Sequence, residues 1–167
     1  MMGLVLSLLF ALVQSTWPDP GQVVSTIDKT ADFASIRTYG WEKGLEVFDR
    51  VAHKSIVDAI DAELASRGIR LAADRGSADV IVRYDGLASS YVDLDELQRT
   101  TKKDPNALAP TKALGSLAIS MHRNKSPQRL WLGHARDFVD LNPAVRDASI
   151  RKIVARVFGT YPVRPNK

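Results

Sequence analysis

The chain has 167 residues, 45% of them hydrophobic and 25% charged, with 10 Gly and 8 Pro, the balance of one globular domain and not of a disordered or collagen-like chain. A chain of this length buries about two thirds of the surface its unfolded form exposes, so its core requires neither metal nor disulfide. It has no Cys, which excludes thiolate zinc sites, iron–sulfur clusters, thiol nucleophiles and redox pairs, and a net charge of +4 makes it only mildly basic.

Residues 1–13 are apolar apart from Ser7, and no charged side chain precedes Asp19. This pattern predicts an export signal over residues 1–15, cleaved after Ser15, because Val13-Gln14-Ser15 offers small or aliphatic side chains at the positions a signal peptidase reads. The run opens without the usual Lys or Arg, and the alternative is a buried N-terminal element of a cytoplasmic domain. As a membrane span it is too short: thirteen residues at about 1.5 Å each reach about 20 Å, against a hydrocarbon core of about 30 Å. The expectation is therefore a periplasmic or cell-envelope protein with no transmembrane span in its mature form. Without a Cys to receive a lipid, no lipoprotein anchor is expected.

Residues 16–21 read as a linker rich in turn formers, and residues 22–163 as one domain. Residues 22–27 are β-branched and predict a first strand. Asp32 caps a single turn, and residues 37–41 form a second strand. Over residues 48–67 the apolar side chains Ala52, Ile56, Ile60 and Leu64 recur every four positions and Gly68 follows, the pattern of an amphipathic helix with a glycine stop. Residues 69–73 are briefly extended. Over residues 78–85 Val80, Val82 and Tyr84 alternate with Ile81 and Arg83, which predicts a strand covered on one side.

Residues 86–113 are polar and aperiodic, and predict a long loop or a short helix near residues 93–99. Residues 114–123 and 128–139 then form a hairpin around Asn124-Lys125-Ser126-Pro127. A symmetric turn would place Leu117, Ile119 and Met121 on one face with Leu130 and Leu132, and Ala118, Ser120, Trp131 and Gly133 on the other. Asn142 followed by Pro143 starts a final helix that runs to about Phe158, before Gly159. The C-terminal basic cluster of Arg146, Arg151, Lys152, Arg156, Arg164 and Lys167 reads as a solvated helix face, with Lys152 and Arg156 opposite Ile150, Ile153, Val154 and Val157, the alternative being a surface for anionic lipid headgroups or nucleic acid. The fold class is α+β, an antiparallel sheet with two amphipathic helices on one face, and Ile56, Ile60, Leu64, Ile153 and Val157 are expected in the core.

The segments DFASIRTYGW, LASRG before IRLA, SADVIVRYDG, RLWLGHARDF and FGTYP together resemble the bacterial domain-of-unknown-function 4136 family, over nearly all of the chain after about Gln22. The resemblance picks out Tyr39 and Trp41, Leu64 with Gly68, Ala78 with Asp79, and Trp131 with Gly133. It implies an envelope protein with an antiparallel sheet and two packed helices, and it implies no established activity. Many relatives are lipoproteins, and this chain departs from them in lacking the lipid-bearing Cys.

The nucleophile elbow, the phosphate loop and the dinucleotide turn are all absent from the sequence. Candidate chemistry reduces to His53, His122 and His134 with nearby carboxylates. His53 lies one helical turn from Asp49, a pair that would orient a general base or serve structurally near a helix N-terminus. In a symmetric hairpin His122 and His134 fall on opposite faces, and Asp137 falls opposite His134, so no metal site and no cofactor site is expected. Tyr39, Trp41 and Trp131 read as core packing or as the lining of a ligand cleft. The expected role is a noncatalytic module binding an envelope protein, a lipid or a cell-wall component, with no nucleic-acid partner. The alternative is a small periplasmic hydrolase using His53 with Asp49 or His134 with Asp137.

Overall fold

A computed structural model describes residues 18–47, 49–92, 102–103 and 111–164. Six strands, β1 (Val23–Ile27), β2 (Thr38–Trp41), β3 (Arg70–Leu71), β4 (Val80–Val92), β5 (Thr111–Arg123) and β6 (Arg129–Asp140), form one sheet in the order β1-β6-β5-β4-β2-β3. Helix α1 (Arg50–Ser66) connects β2 to β3, and helix α2 (Pro143–Phe158) follows β6.

Each helix begins and ends where its sequence dictates. The Asp49 carboxylate accepts from the Val51 and Ala52 amides at 2.8 and 3.0 Å, and Asn142 accepts from Ala144 at 3.0 Å ahead of the first-turn Pro143; both caps satisfy amides that have no partner inside the helix. At the end of α1, Gly68 takes φ 77°. It donates to the Ala65 carbonyl while Ile69 donates to Leu64, a Schellman closure that favours glycine at the left-handed position. The buried Arg67 guanidinium then ties the two helix ends together, donating to Glu63 O, Val163 O and Phe158 O and lying 5.1 Å from the Phe158 ring centre.

Both helices pack on one face of the sheet. Ile56, Ile60 and Leu64 of α1 and Ile153, Val154 and Val157 of α2 close over Val80, Val82, Tyr84, Leu117, Ile119, Met121 and Trp131. The expected core positions are thus all buried, and the α+β class holds. The sheet is mixed, however: β2 runs parallel to both β3 and β4, whereas the other pairings are antiparallel. The α1 crossover explains this, since a helix that returns the chain across the sheet delivers the next strand in the same direction.

The hairpin register also differs from a symmetric turn. Met121 pairs with Trp131 while its neighbour His122 pairs with Arg129, so Leu130 is an extra residue on β6. A bulge of one residue reverses the faces of everything beyond it. Trp131, Gly133 and Ala135 therefore join Leu117, Ile119 and Met121 under the helices, and Leu132 and His134 face outward. Lys125 in the turn takes φ 58°. The long loop is shorter than its polarity suggests, because β4 and β5 stay paired from Val80–Arg123 out to Val92–Thr111; the short helix expected near residues 93–99 lies outside the described residues.

Candidate functional site: an apolar pocket beyond the helix starts

Strands β4 and β5 have 13 residues each, about 43 Å at the usual rise of a strand. Helices α1 and α2 have 17 and 16 residues, only about 24 to 26 Å of helix. The sheet outruns the layer above it, and a cavity of about 350 Å³ opens where the helices begin.

Its floor is made of small side chains on the helix-facing side of the sheet: Gly86 and Ala88 of β4, Ala113 and Gly115 of β5. Ala52 and Ile56 of α1 and Ile150 and Ile153 of α2 form the walls, and Leu117, Val139 and Leu141 add to the apolar lining. The remaining wall is Leu45 to Val47, pinned along β4 by Gly86 N–H to Leu45 O at 2.7 Å and Leu45 N–H to Asp85 Oδ1 at 2.7 Å. Gly44 permits this approach, since a β-carbon there would lie 2.0 Å from the Tyr84 carbonyl oxygen. Three charged groups line the mouth, Arg146, Asp49 and Glu46. Arg146 Nη1 donates to Asp49 Oδ2 at 2.7 Å, with the arginine side chain only 16% exposed. The Ala52 and Val51 amides and the Arg146 charge hold the Asp49 carboxyl below the usual carboxylate range.

Tyr39, Trp41 and His53 of the residues proposed from sequence sit in a packed cluster with Tyr84 and Asp61. The Tyr39 hydroxyl donates to Asp61, and Trp41 Nε1 donates to the same carboxylate oxygen at 3.2 Å. Trp41 stands edge-on to Tyr39 and to Tyr84, with ring centres 6.1 and 6.5 Å apart. His53 Nδ1 is bonded to the Tyr84 hydroxyl. Burial, and then the Glu46 charge, push that phenol up to about 12, so it remains protonated at neutral pH.

The expected site residues therefore separate. Asp49 caps α1 and pairs with Arg146, while His53 bonds Tyr84, so the two do not form a base and its orienter. His134 and Asp137 lie on opposite faces of β6, as their three-residue spacing requires, and Asp137 is bound to Arg156 of α2. His122 and His134 share the outer face, contrary to the symmetric-turn expectation, but His134 is opposite Ala118, four positions from His122 on β5, about 13 Å at a strand's rise. Trp131 is fully buried against Phe158 and Tyr161 at 5.3 Å each and has no surface to offer a ligand; Tyr39 is buried as well, and only Trp41 retains partial exposure. Among the described residues, no three metal-ligating side chains cluster, and no helix is long and apolar enough to cross a membrane.

Sequence reasoning missed Asp61, Tyr84 and Arg146. The last was read as part of a solvated basic face, whereas three arginines of α2 are in ion pairs: Arg146 with Asp49, Arg151 with Asp147, and Arg156 with Asp137. The polar partners lie on other elements for two of the three, which no helical wheel of α2 displays.

The fold recurs in solved structures. A DUF4136 family protein from Bacteroides thetaiotaomicron is similar at a TM-score of 0.59 and 17% identity, over 87% of this chain and 98% of that one. PelC from Paraburkholderia phytofirmans, which forms a dodecamer, is similar at 0.57 and 10% identity, over 83% and 96%. A PDZ domain protein from Parabacteroides distasonis is similar at 0.55 and 16% identity, over 86% of this chain but 36% of that one. No curated protein matches the chain significantly. The model of a domain of unknown function, DUF4136, matches residues 23–163, and the chain belongs to the DUF4136 family.

Proposed function

We propose that this chain is an exported, noncatalytic binding module of the bacterial cell envelope, and that its ligand is an apolar molecule seated in the pocket beyond the helix starts. The observation that carries this reading is the cavity itself: about 350 Å³ with apolar walls on both helices and three strands, within the size range of pockets that hold small ligands. The uncharged apolar residues 1–13 support export, with the mature chain beginning at Thr16 in the periplasm or cell envelope. The hydrolase alternative loses support from the pairing of Asp49 with Arg146 and of His53 with Tyr84, because a general base needs its orienting carboxylate within hydrogen-bond reach.

The test is a titration of the purified mature protein with the neutral fluorophore N-phenyl-1-naphthylamine. Saturable binding is expected, and Ala88→Phe should weaken it by at least about tenfold, because Ala88 is an exposed floor residue whose enlargement fills the cavity without entering the core. The absence of saturable binding, or equal binding by Ala88→Phe, overturns the reading. An intact residue 1–15 segment in a soluble cytoplasmic pool, detected by mass spectrometry, overturns the export part separately.

A further inference from the structure

We infer that the pocket takes a single aliphatic chain bearing an uncharged head, and that it discriminates against the corresponding fatty acid. This deepens the binding reading above and rests on it. The volume of about 350 Å³ is at the lower end of the roughly 300–1,000 Å³ of small-ligand pockets, which suits one chain and not the two of a phospholipid. The floor of Gly86, Ala88, Ala113 and Gly115 offers apolar surface without a donor or acceptor among its side chains, so chain length and not polar recognition fills it.

The head is set by the mouth. Its charged groups are one guanidinium and two carboxylates, Arg146 against Asp49 and Glu46. One N–H of the guanidinium is engaged by Asp49 at 2.7 Å, and Asp49 is itself held by the Val51 and Ala52 amides. A ligand carboxylate arriving there would meet two like charges against one guanidinium whose charge is already shared with Asp49. A hydroxyl or glycerol head meets no such opposition, and finds acceptors in the carboxylates.

The experiment is displacement of N-phenyl-1-naphthylamine from the mature protein at neutral pH by 1-monolauroylglycerol and by laurate, each below its micelle concentration. The monoacylglycerol should displace the probe at a concentration at least about tenfold lower than laurate. Glu46→Gln should strengthen laurate several-fold and so narrow that gap; no gain for laurate would overturn the head-group assignment. Equal potency of the two, or a preference for laurate, overturns the head-group assignment while leaving the apolar pocket standing. Displacement by neither, or displacement from Ala88→Phe as readily as from the parent, overturns the pocket reading and this inference with it.

Discussion

At Gly133 the sheet leaves no room for a β-carbon beneath α2, and its enlargement gives a quantitative test of the fold. A β-carbon built there lies 2.6 Å from Val157 Cγ1 and 2.8 Å from Trp131 Cζ2, against about 3.5 to 4.0 Å for relaxed carbon contact. Neither neighbour gives way easily: Val157 is a β-branched side chain in a helix, stiff about χ1, and Trp131 is wedged between Phe158 and Tyr161. Overpacking of this kind costs about 1 to 3 kcal/mol, and removal of glycine from the unfolded chain returns about 0.4 to 1 kcal/mol. Gly133→Ala should therefore destabilise by about 1 to 2 kcal/mol, visible in urea unfolding followed by tryptophan fluorescence as a lower midpoint at unchanged slope. Val157→Ala alone loses buried apolar surface, but in the double variant the new methyl occupies the space that Cγ1 vacates. The pair should fall short of additivity by at least about 1 kcal/mol. Additive losses, or a Gly133→Ala protein as stable as the parent, would show that α2 does not rest on this strand as described.

Leu64→Ala should cost about 2 to 5 kcal/mol, since the side chain is fully buried under both layers, and a loss below about 0.5 kcal/mol in denaturant would misplace the α1 face. Stability should also fall with acid. Backbone amides of Arg37 and Thr38 hold the Asp79 carboxyl below its ordinary value, and the Ala52 amide does the same for Asp49, so their contribution is complete above about pH 4 and is lost as pH falls through the depressed folded values. Burial, and then Arg129, lower His134, so its share is complete above about pH 6.5 and fades on acidification from there. Chemical denaturation across pH 3 to 8 reads both; greater stability at pH 5 than at pH 7 would contradict the assignment.

Much of the fold was legible because its signals are local. The four-residue spacing of Ala52, Ile56, Ile60 and Leu64, the Asn142 cap and the Gly68 stop each depend on neighbours within one or two turns, and each is found where the sequence places it. What escaped depends on distant partners. The direction of β2 is decided by β4, forty residues on, and the Leu130 bulge is invisible in an alternating run of apolar residues because Leu130, Trp131 and Leu132 are interchangeable by hydropathy. That single residue puts Trp131 in the core and removes the cleft-lining alternative for it. The pocket was hidden for a related reason. Gly86, Ala88, Ala113 and Gly115 are ordinary small residues along the chain, and they become a floor only when β4 and β5 lie side by side beyond the reach of the helices.

The position of β1 carries a consequence for the order of assembly. Val23 is opposite Ala135 and Ile27 opposite Trp131, so the first strand of the domain waits for nearly the last. Until β6 has been made and paired with β5, β1 has no partner, and closing so long a loop is entropically the most demanding of the strand pairings. The β4-β5-β6 core can form from neighbours in sequence, leaving the β6 edge open for β1 to seal. A chain truncated or held back before Val23–Ile27 docks would therefore present a bare β6 edge, with unpaired backbone groups along Leu132 to Ala135, and its hazard is strand addition by another molecule.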